Sequence, residues 1–469
     1  MCLRLTNDSP SLHTLKHLPP LPLVIDYSDI TRAMAPKDED NIHLGLQQHS
    51  QRVRRVALVV PSSSLRMLFE RMKKKFPRLE DLFLLSTTTD ETSLVLPETF
   101  QAPDLRRLSL HGIGLPKGLL LLSSAITLSA LSLTHIQDSS YLFPGYLVTQ
   151  LQDLPNLEEL SIGFAIANPP LSSEQELLPP SIPPVTLLTL RLRRLTFRGE
   201  GIYLDDFVAQ INTPLLERLS LALFFDPIFS LWNLNQFIRR TEGFECLVAR
   251  VIFNKDGVSI DTANYEQQGI RKFSLRVDCE SFDWQIGSAT QVCSALGNVL
   301  SSVEKLILDL DEDGTPSDWE NSLENIAWNE LLLPFIGVKK LHIGYSLILE
   351  LSRALGSVAE EFVLGFLPEL QELGVQFEIN HAIKVFNLFV ETRESVGRPV
   401  QLLALPIPYA NPRIFPKYMN YASPIPVRCD FITYLTWSAN IDTAPGSLTT
   451  NFRETRIQRG IQNTCLCAR

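Results

Sequence analysis

The sharpest chemical pattern in the sequence is an acidic run with the spacing of a calcium-binding loop. The run DLDEDGTPSDWE satisfies the EF-hand formula at Asp309, Asp311, Asp313, Gly314 and Glu320. Pro316, however, stands where an EF-hand carries an aliphatic residue, and the preceding residues VEKLIL fit a strand instead of an entering helix. The run is therefore interpreted as a solvated acidic turn, with calcium binding as the open alternative.

Other residues with metal-binding or catalytic types lack the partners that the chemistry requires. His13 and His17 have the HxxxH spacing of a zinc site, but Thr14 replaces the glutamate that a metalloprotease needs. Cys465 and Cys467 form a CxC pair without a second pair nearby. The sequence contains no GxSxG elbow, phosphate-binding loop or dinucleotide motif. We therefore expect no catalytic residue, no metal and no cofactor, and the chain is not expected to be an enzyme.

Composition bears on the kind of partner and on the cellular compartment. The chain has 469 residues, of which 45% are hydrophobic, and its net charge of -10 argues against general affinity for nucleic acids. Its seven cysteines are scattered, which favours reduced thiols in the cytoplasm or nucleus. The uncharged stretch from Gly118 to Gln137 is long enough to cross a bilayer, but it contains several hydroxyl residues and its leucines fit an apolar repeat of the chain, so no membrane contact is expected.

An apolar motif, LxxLxL, recurs along the chain and must supply the elements that position any site. In an extended strand the second and third apolar residues point to one face, and the residue between them points to the other. The triplets are Val53/Val56/Leu58, Leu79/Leu82/Leu84, Leu105/Leu108/Leu110, Leu128/Leu131/Leu133, Leu157/Leu160/Ile162, Leu192/Leu195/Phe197, Leu216/Leu219/Leu221, Val248/Val251/Phe253, Ile270/Phe273/Leu275, Val303/Leu306/Leu308, Val338/Leu341/Ile343 and Leu370/Leu373/Val375.

Stretches with helical spacing separate the triplets, and the alternation predicts an α/β fold. The helical stretches include Leu65 to Met72, Leu204 to Ile211, Leu231 to Ile238, Trp319 to Leu332, Leu347 to Val363 and His381 to Val390. The first residues of successive triplets are between 22 residues (Val248 to Ile270) and 35 residues (Leu157 to Leu192) apart, and repeats of this length predict an irregular leucine-rich-repeat solenoid of alternating strands and helices. We expect an N-terminal entry segment over residues 1–50, the solenoid over 51–400, and a proline-rich, basic, irregular or disordered tail over 401–469.

The solvent-facing side of the predicted strands is the candidate partner-binding face. The residues just before and between the buried apolar pair should line it, and basic types predominate there. Such a ladder of positive charge suits an acidic or phosphorylated protein segment, although exposed charges also keep a sheet soluble. The candidate residues are Phe83, Arg107, Arg194, Arg218, Lys272, Lys305, Lys340 and His342.

Several phrases, taken in order, resemble a known family. They are LPPLPLVIDYSD, DEDNIHLGLQQHSQRVRRVAL, FPRLEDLFL, LPNLEELSIGF, YLDDFVAQINTPLLERLSLALF, FIRRTEGFECLVARVIF, FDWQIGSATQVCSAL and WENSLENIAWNELLLPFIGVKKLHI. Their series over roughly residues 1 to 400 resembles fungal F-box proteins with leucine-rich-repeat-like C-terminal regions. In that family an F-box docks on the Skp adaptor of a cullin-RING ubiquitin ligase while the repeats hold the protein substrate.

The F-box itself is not visible in this chain. The nearest string, LPPLPLVID, has Pro22 where an F-box helix would continue. The resemblance therefore implies the substrate-recognition part of an F-box-type ligase subunit, with a Skp-type adaptor as partner only if an F-box lies upstream of Met1. The alternative is a leucine-rich-repeat scaffold that works without an F-box and has no ubiquitin role.

Overall fold

The structure is a computed structural model. It describes residues 2–7, 9, 21–29, 35–72, 75–88, 94–116, 120–137, 140–165, 188–226, 228–229, 231–241, 244, 246–263, 272–311, 325–356, 366–375, 379–406 and 427–430. The chain divides into a unit from Met1 to Thr433 and a unit from Tyr434 to Arg469. The second unit lies wholly outside the described residues.

Strands and helices alternate along the described chain. The strands are β1 (Leu3–Leu5), β2 (Leu23–Tyr27), β3 (Val53–Val60), β4 (Asp81–Ser86), β5 (Arg107–His111), β6 (Ala130–Ile136), β7 (Glu159–Phe164), β8 (Leu188–Thr189), β9 (Arg194–Gly199), β10 (Ile211–Asn212), β11 (Arg218–Phe224), β12 (Val248–Asn254), β13 (Gly257–Ala263), β14 (Lys272–Asp278), β15 (Lys305–Leu310), β16 (Lys340–Ile343), β17 (Glu372–Val375), β18 (Leu402–Pro406) and β19 (Val427–Asp430). The helices are α1 (Pro36–Gln48), α2 (Ser62–Arg71), α3 (Leu120–Ser124), α4 (Pro144–Leu151), α5 (Gly201–Val208), α6 (Trp232–Arg240), α7 (Phe282–Ala295), α8 (Gly297–Leu300), α9 (Asn325–Leu332), α10 (Ile348–Gly356) and α11 (Ile379–Ser395), with a 3-10 turn at Tyr345–Leu347.

These elements form a mixed α/β fold built on one large, mostly parallel sheet. Each LxxLxL triplet places its second and third residues in a strand, as the motif predicts, and those residues are buried, whereas the residues between and beside them are in most strands at least partly exposed. In β5, for example, Leu108 and Leu110 are buried while Arg107 is exposed. The strand positions of the motif are therefore confirmed.

Most strands pair with the next strand along the chain. From β1 to β7 the neighbours are parallel and follow chain order, and the series continues through β9 to β11. At the other end β15, β16, β17, β18 and β19 again pair in order. The short strands β8 and β10 form a separate parallel pair.

The order changes in the middle of the sheet. Strand β11 pairs directly with β14, while β12 pairs with β15, and β13 lies between β12 and β14 and runs antiparallel to both. Asn254 and Gly257 face each other across the turn between β12 and β13. Gly257 has a φ of 156°, and a side chain there would overlap the carbonyl oxygen of Val277. The motif alone did not indicate this reversal.

A repeated pair of backbone contacts sets the start of most repeat strands. The first apolar residue of a triplet closes a turn onto the residue three positions earlier, as Leu105 does with Ala102 and Leu157 does with Leu154. Two consecutive amides after it share one carbonyl of the preceding repeat, as those of Arg106 and Arg107 share the Glu80 oxygen. Proline fits several of these turns because the second turn position needs no amide donor. The contacts fix the register of one repeat on the next.

The apolar residues form one continuous core from Leu5 to Val400 in the described chain. Neighbouring helices pack on one another, for instance α4 on α5, α5 on α6 and α10 on α11. The expected helices at Leu65–Met72, Leu231–Ile238 and His381–Val390 are present, whereas α5 ends at Val208 and Ile211 begins β10. Residues 319–324 and 357–363 of the other two expected helices lie outside the described part.

The sheet extends beyond the limits that the motif suggested. Strands β1 and β2 belong to it although they lie in the expected entry segment of residues 1–50. Strands β18 and β19 continue it past residue 400, where the repeat pattern stops. The proline-rich stretch from Pro169 to Pro184, which separates the fifth triplet from the sixth and is typical of a surface loop, lies outside the described residues.

A buried arginine joins α11 to the turn before β17. The Arg393 side chain is 1% exposed, and its guanidinium donates to the carbonyl oxygens of Phe366, Leu367 and Leu370 at 3.1 to 3.3 Å and to that of Arg398 at 3.1 Å. Burial, together with the nearby Arg398, lowers the pKa of Arg393 to about 10. Leu367 has a left-handed φ of 44°, which is unfavourable for a branched side chain, and the arginine holds that turn.

We predict that Arg393→Met lowers the free energy of unfolding by about 2 to 4 kcal/mol, because the turn carbonyls lose their donors while the apolar part of the side chain is kept. Urea unfolding followed by circular dichroism measures the change. Arg239→Met is the matched control, since Arg239 is exposed on α6, and it should change stability by less than about 0.5 kcal/mol. Equal stability of the two variants would contradict the role given to Arg393.

Candidate functional site

The solvent-facing side of the sheet carries side chains in straight rows that run across the strands. Because the strands pair in register about 4.8 Å apart, residues at equivalent positions become neighbours. We define the first row as Arg55, Asp81, Arg107, Ala130, Glu159, Arg194, Arg218 and Lys272, which pair successively from β3 to β14. Beyond the reversal, Val248, Lys305, Lys340 and Glu372 continue it.

Acidic residues interrupt the expected ladder of positive charge. Arg107 pairs with Asp81 at 3.0 Å and Arg194 pairs with Glu159 at 2.8 Å. At the other end of the sheet, Lys340 lies 3.2 Å from Glu372. The motif identifies these positions, at which basic types predominate, but it does not show which of the basic and acidic residues become neighbours.

Arg218 differs from the other arginines of the first row. No ion pair joins its half-buried side chain to an acidic residue in the described chain. Its register neighbours are Arg194 on β9 and Lys272 on β14. Three basic positions therefore stand side by side at the centre of the face.

A row of hydroxyl residues runs beside the first row. We define the hydroxyl row as Ser109, Ser132, Ser161, Thr196, Ser220 and Ser274, which occupy adjacent positions on β5, β6, β7, β9, β11 and β14. Within the described structure none of these six hydroxyls forms a hydrogen bond to another protein group. Each keeps a donor and acceptor capacity for a ligand. Because these side chains are short, the larger arginines beside them on β9, β11 and β14 extend further from the sheet.

A third row of residues, on the other side of the hydroxyl row, supplies further basic side chains. Arg198 pairs in register with Ala222, and Ala222 with Arg276. Both arginines contact Asp278, Arg198 at 3.3 Å and Arg276 at 2.8 Å, and Arg198 lies over the Phe224 ring at 5.8 Å. We define the basic patch as Arg194, Arg198, Arg218, Lys272 and Arg276 around Thr196, Ser220 and Ser274.

Two histidines, His111 on β5 and His135 on β6, lie on the β5–β6 side of the basic patch. The rings of His111 and His135 are in contact, with centroids 4.0 Å apart and 38° between their planes, and His111 Nδ1 lies 2.9 Å from Thr134 Oγ1. Burial and the neighbouring His135 lower the pKa of His111 to about 4, and burial also lowers the pKa of His135. Both rings are therefore neutral at pH 7, so neither adds positive charge to the basic positions on β9, β11 and β14.

The remaining candidate residues lie on the same face but apart from the basic patch. Phe83 is half-buried on β4, in register between Ala57 and Ser109. Lys305 lies on β15 and His342 on β16. His342 is 3.6 Å from Glu372 and packs over Gly374, where a Cβ would come within 2.8 Å of its ring.

Arg250 on β12 belongs to this face too, although the motif did not single it out. Its guanidinium lies 2.6 Å from the Asp309 carboxylate of β15. Asp309 is the first residue of the calcium-loop formula, and it is therefore paired with an arginine. Residues 312–320 of the formula lie outside the described chain. Arg250 directly precedes Val251, the second apolar residue of its motif. Basic residues at this position of the other motifs lie on the same face, so the position could have identified Arg250 from the sequence.

Within the described residues no group of three or more His, Cys, Asp or Glu side chains is arranged to hold a metal ion. Cys2, Cys246, Cys279 and Cys293 are free thiols, whereas Cys465 and Cys467 lie outside the described part, as do His13 and His17. Of the helices described, none is both long and apolar enough to cross a membrane.

Comparison with known proteins gives the chain no family: no protein-family model matches it, and no curated protein is a significant match.

We predict that Glu372→Gln lowers the free energy of unfolding by roughly 1 to 3 kcal/mol at pH 7, because the carboxylate is held by two side chains. Contact with His342 and the charge of Lys340 lower the pKa of Glu372 to about 2. Since the folded-state pKa lies below the unfolded value of about 4.3, this stabilisation is complete above that value and is lost as the pH falls.

Urea unfolding of the unmodified chain and of Glu372→Gln, at several pH values from 7 to 3, measures how their difference in the free energy of unfolding depends on pH. The difference between them should stay constant down to about pH 5 and fall by about half at pH 3. Glu304→Gln removes a carboxylate whose pair with Lys339 is solvent-exposed, and it should cost less than about 0.5 kcal/mol. A Glu372→Gln difference that does not change with pH would refute the assignment.

Proposed function

We propose that this chain is a protein-interaction module whose basic patch binds an extended acidic or phosphorylated segment of another protein. The observation that carries the proposal is the set of unbonded hydroxyls at Thr196, Ser220 and Ser274, flanked on both sides by basic positions. Carboxylate and phosphate oxygens accept hydrogen bonds from hydroxyl and guanidinium groups together. Arg218 is available for such a contact because no described acid neutralises it.

The geometry favours an extended ligand over a compact one. The hydroxyl row crosses six strands, from β5 to β14, and at about 4.8 Å between strands it is roughly 24 Å long. An extended peptide advances about 3.3 Å per residue, so a segment of about seven residues covers the row. Its acidic groups would lie over β9, β11 and β14, and its neutral part over the serines of β5 to β7.

The proposed module is an irregular leucine-rich-repeat solenoid. The turn and shared-carbonyl contacts recur from repeat to repeat, and neighbouring helices pack on one another, which supports a stack in which each repeat buries the apolar row of the next. A one-residue shift in register would turn every side chain of a strand to the other face. The contacts that fix the register therefore also support the binding surface.

The proposed context is substrate recognition within an F-box-type subunit of a cullin-RING ubiquitin ligase. Support comes from the serial phrases that resemble that family, such as LPPLPLVIDYSD with its strand β2. Purification of the protein from its source cells should then recover a Skp-type adaptor in stoichiometric amount. If the adaptor is absent, the scaffold function without a ubiquitin role replaces this one, and the basic patch keeps its proposed ligand.

We predict that Arg218→Glu weakens binding of a fluorescein-labelled decaglutamate probe about tenfold, since it replaces one charge-assisted contact by repulsion. Fluorescence anisotropy at fixed low salt measures the dissociation constant. Arg106→Glu makes the same change in net charge at an exposed position on the approach to β5, and it should change the constant less than about twofold. Equal weakening by both variants would mean that only the overall charge matters, and the proposal would fail.

A further inference from the structure

Large exposed apolar side chains cluster at one edge of the sheet. The strongly exposed ones there are Ile202, Ile228, Trp232 and Trp284, with 58%, 76%, 68% and 58% of their surface accessible. They come after the neighbouring strands β9, β11 and β14 at the edge where these strands end, on or just before α5, α6 and α7. With the half-buried Phe225 they define what we call the edge patch.

Contacts between the connecting segments make the edge patch continuous. The Phe225 and Trp284 rings stack with centroids 4.8 Å apart and 9° between their planes. The Phe229 amide donates to Gln291 Oε1 of α7 at 2.9 Å, and Gly201 at the start of α5 lies against Phe229. Asp205 of α5 accepts from the Leu234 amide of α6 at 2.9 Å. The three connections are therefore tied to one another and present one surface.

Acidic side chains surround the edge patch without basic partners. Glu200, Asp206, Asp226 and Asp283 form no ion pair with a described basic residue. Burial and the nearby Asp226 raise the pKa of Glu200, so these two carboxylates repel each other. Asp283 also lies favourably near the amino end of α7. Asp226 accepts the Ile228 amide at 2.9 Å. None of the four carboxylates is balanced by an ion pair with a described basic residue, so this edge carries net negative charge.

We propose that the edge patch is a second docking surface, and that its occupant is a basic segment of another protein that carries apolar side chains between lysines or arginines. Exposed tryptophan faces bind both apolar side chains and cations, and aromatic residues dominate the energetics of protein interfaces. The surrounding carboxylates complement lysine and arginine. A membrane surface fits less well, because anionic headgroups would be repelled by the same carboxylates.

The edge patch and the basic patch lie on the same three strands but carry opposite charge. The basic patch is on the solvent-facing side of β9, β11 and β14, whereas the edge patch is formed by the connecting segments at the ends of those strands. The chain can therefore hold two segments of opposite charge close together. This second surface does not depend on the decaglutamate-binding role of the first.

Phage display tests the proposal. A library of random twelve-residue peptides is selected on the immobilised full chain, and bound phage are eluted with salt. A class of selected peptides should be enriched in lysine or arginine next to apolar residues. Synthetic copies should bind Trp284→Ala, and the triple variant Glu200→Gln/Asp226→Asn/Asp283→Asn, at least about tenfold more weakly. The carboxylate of Asp226 accepts the Ile228 amide at 2.9 Å, and the side-chain carbonyl of the asparagine variant can still accept it, so the local turn is kept.

Matched control variants show whether weaker peptide binding is specific to the edge patch or follows from losing any exposed apolar side chain or any three acidic charges. Leu388→Ala removes an equally exposed apolar side chain on α11, and Glu98→Gln/Asp104→Asn/Asp153→Asn removes three exposed acids elsewhere. Both controls should bind the selected peptides within about twofold of the unmodified chain, and Trp284→Ala should keep its decaglutamate affinity. The proposal is overturned if the basic peptides bind Trp284→Ala unchanged, or if the edge patch instead mediates a dimer or binds vesicles of anionic lipid.

Discussion

The structure depends above all on the parallel backbone register between repeats. In most of the described repeats a turn ends at the first apolar residue of the motif, and the next two amides share one carbonyl of the preceding repeat, as those of Glu158 and Glu159 share the Ser129 oxygen. Since side chains alternate between the faces of a strand, this register decides which residues are buried and which face solvent. It also converts a motif that is periodic along the chain into rows that cross the sheet.

The sequence predicts the strands well because their signal is local. Two buried residues separated by one exposed residue indicate a strand at Leu108 and Leu110 whatever its neighbours are. Which strands pair with each other depends on residues far apart in the chain, so the motif does not predict the order of the strands in the sheet. The exchange of β12 and β14 is a consequence of the hairpin at Gly257, for which the only local signal was the Asp256-Gly257 pair between apolar runs. Strands β18 and β19 were missed because LLALP and VRCD lack the spaced triplet.

The same distinction explains how much of the candidate site could be predicted. The motif identified Arg107, Arg194 and Arg218 as exposed, but it could not show that Asp81 and Glu159 neutralise the first two. The hydroxyl row was visible as single serines and becomes a surface only through the register. The exposed tryptophans of the edge patch carry no periodic signal, and they come together because three connections leave adjacent strands at one edge. Charge of opposite sign on the two patches is thus a consequence of the topology.

The pairing of β11 with β14 carries both patches, and a disulfide test measures it most directly. Ser220 and Ser274 are register partners, so cysteines there should lie about 5 Å apart between Cα atoms and form a disulfide on mild oxidation. Cysteines at Ser220 and Arg250 should not cross-link, because β14 and β13 separate β11 from β12. A disulfide in the second variant and none in the first would show that the strands follow chain order, and neither patch would then exist as described.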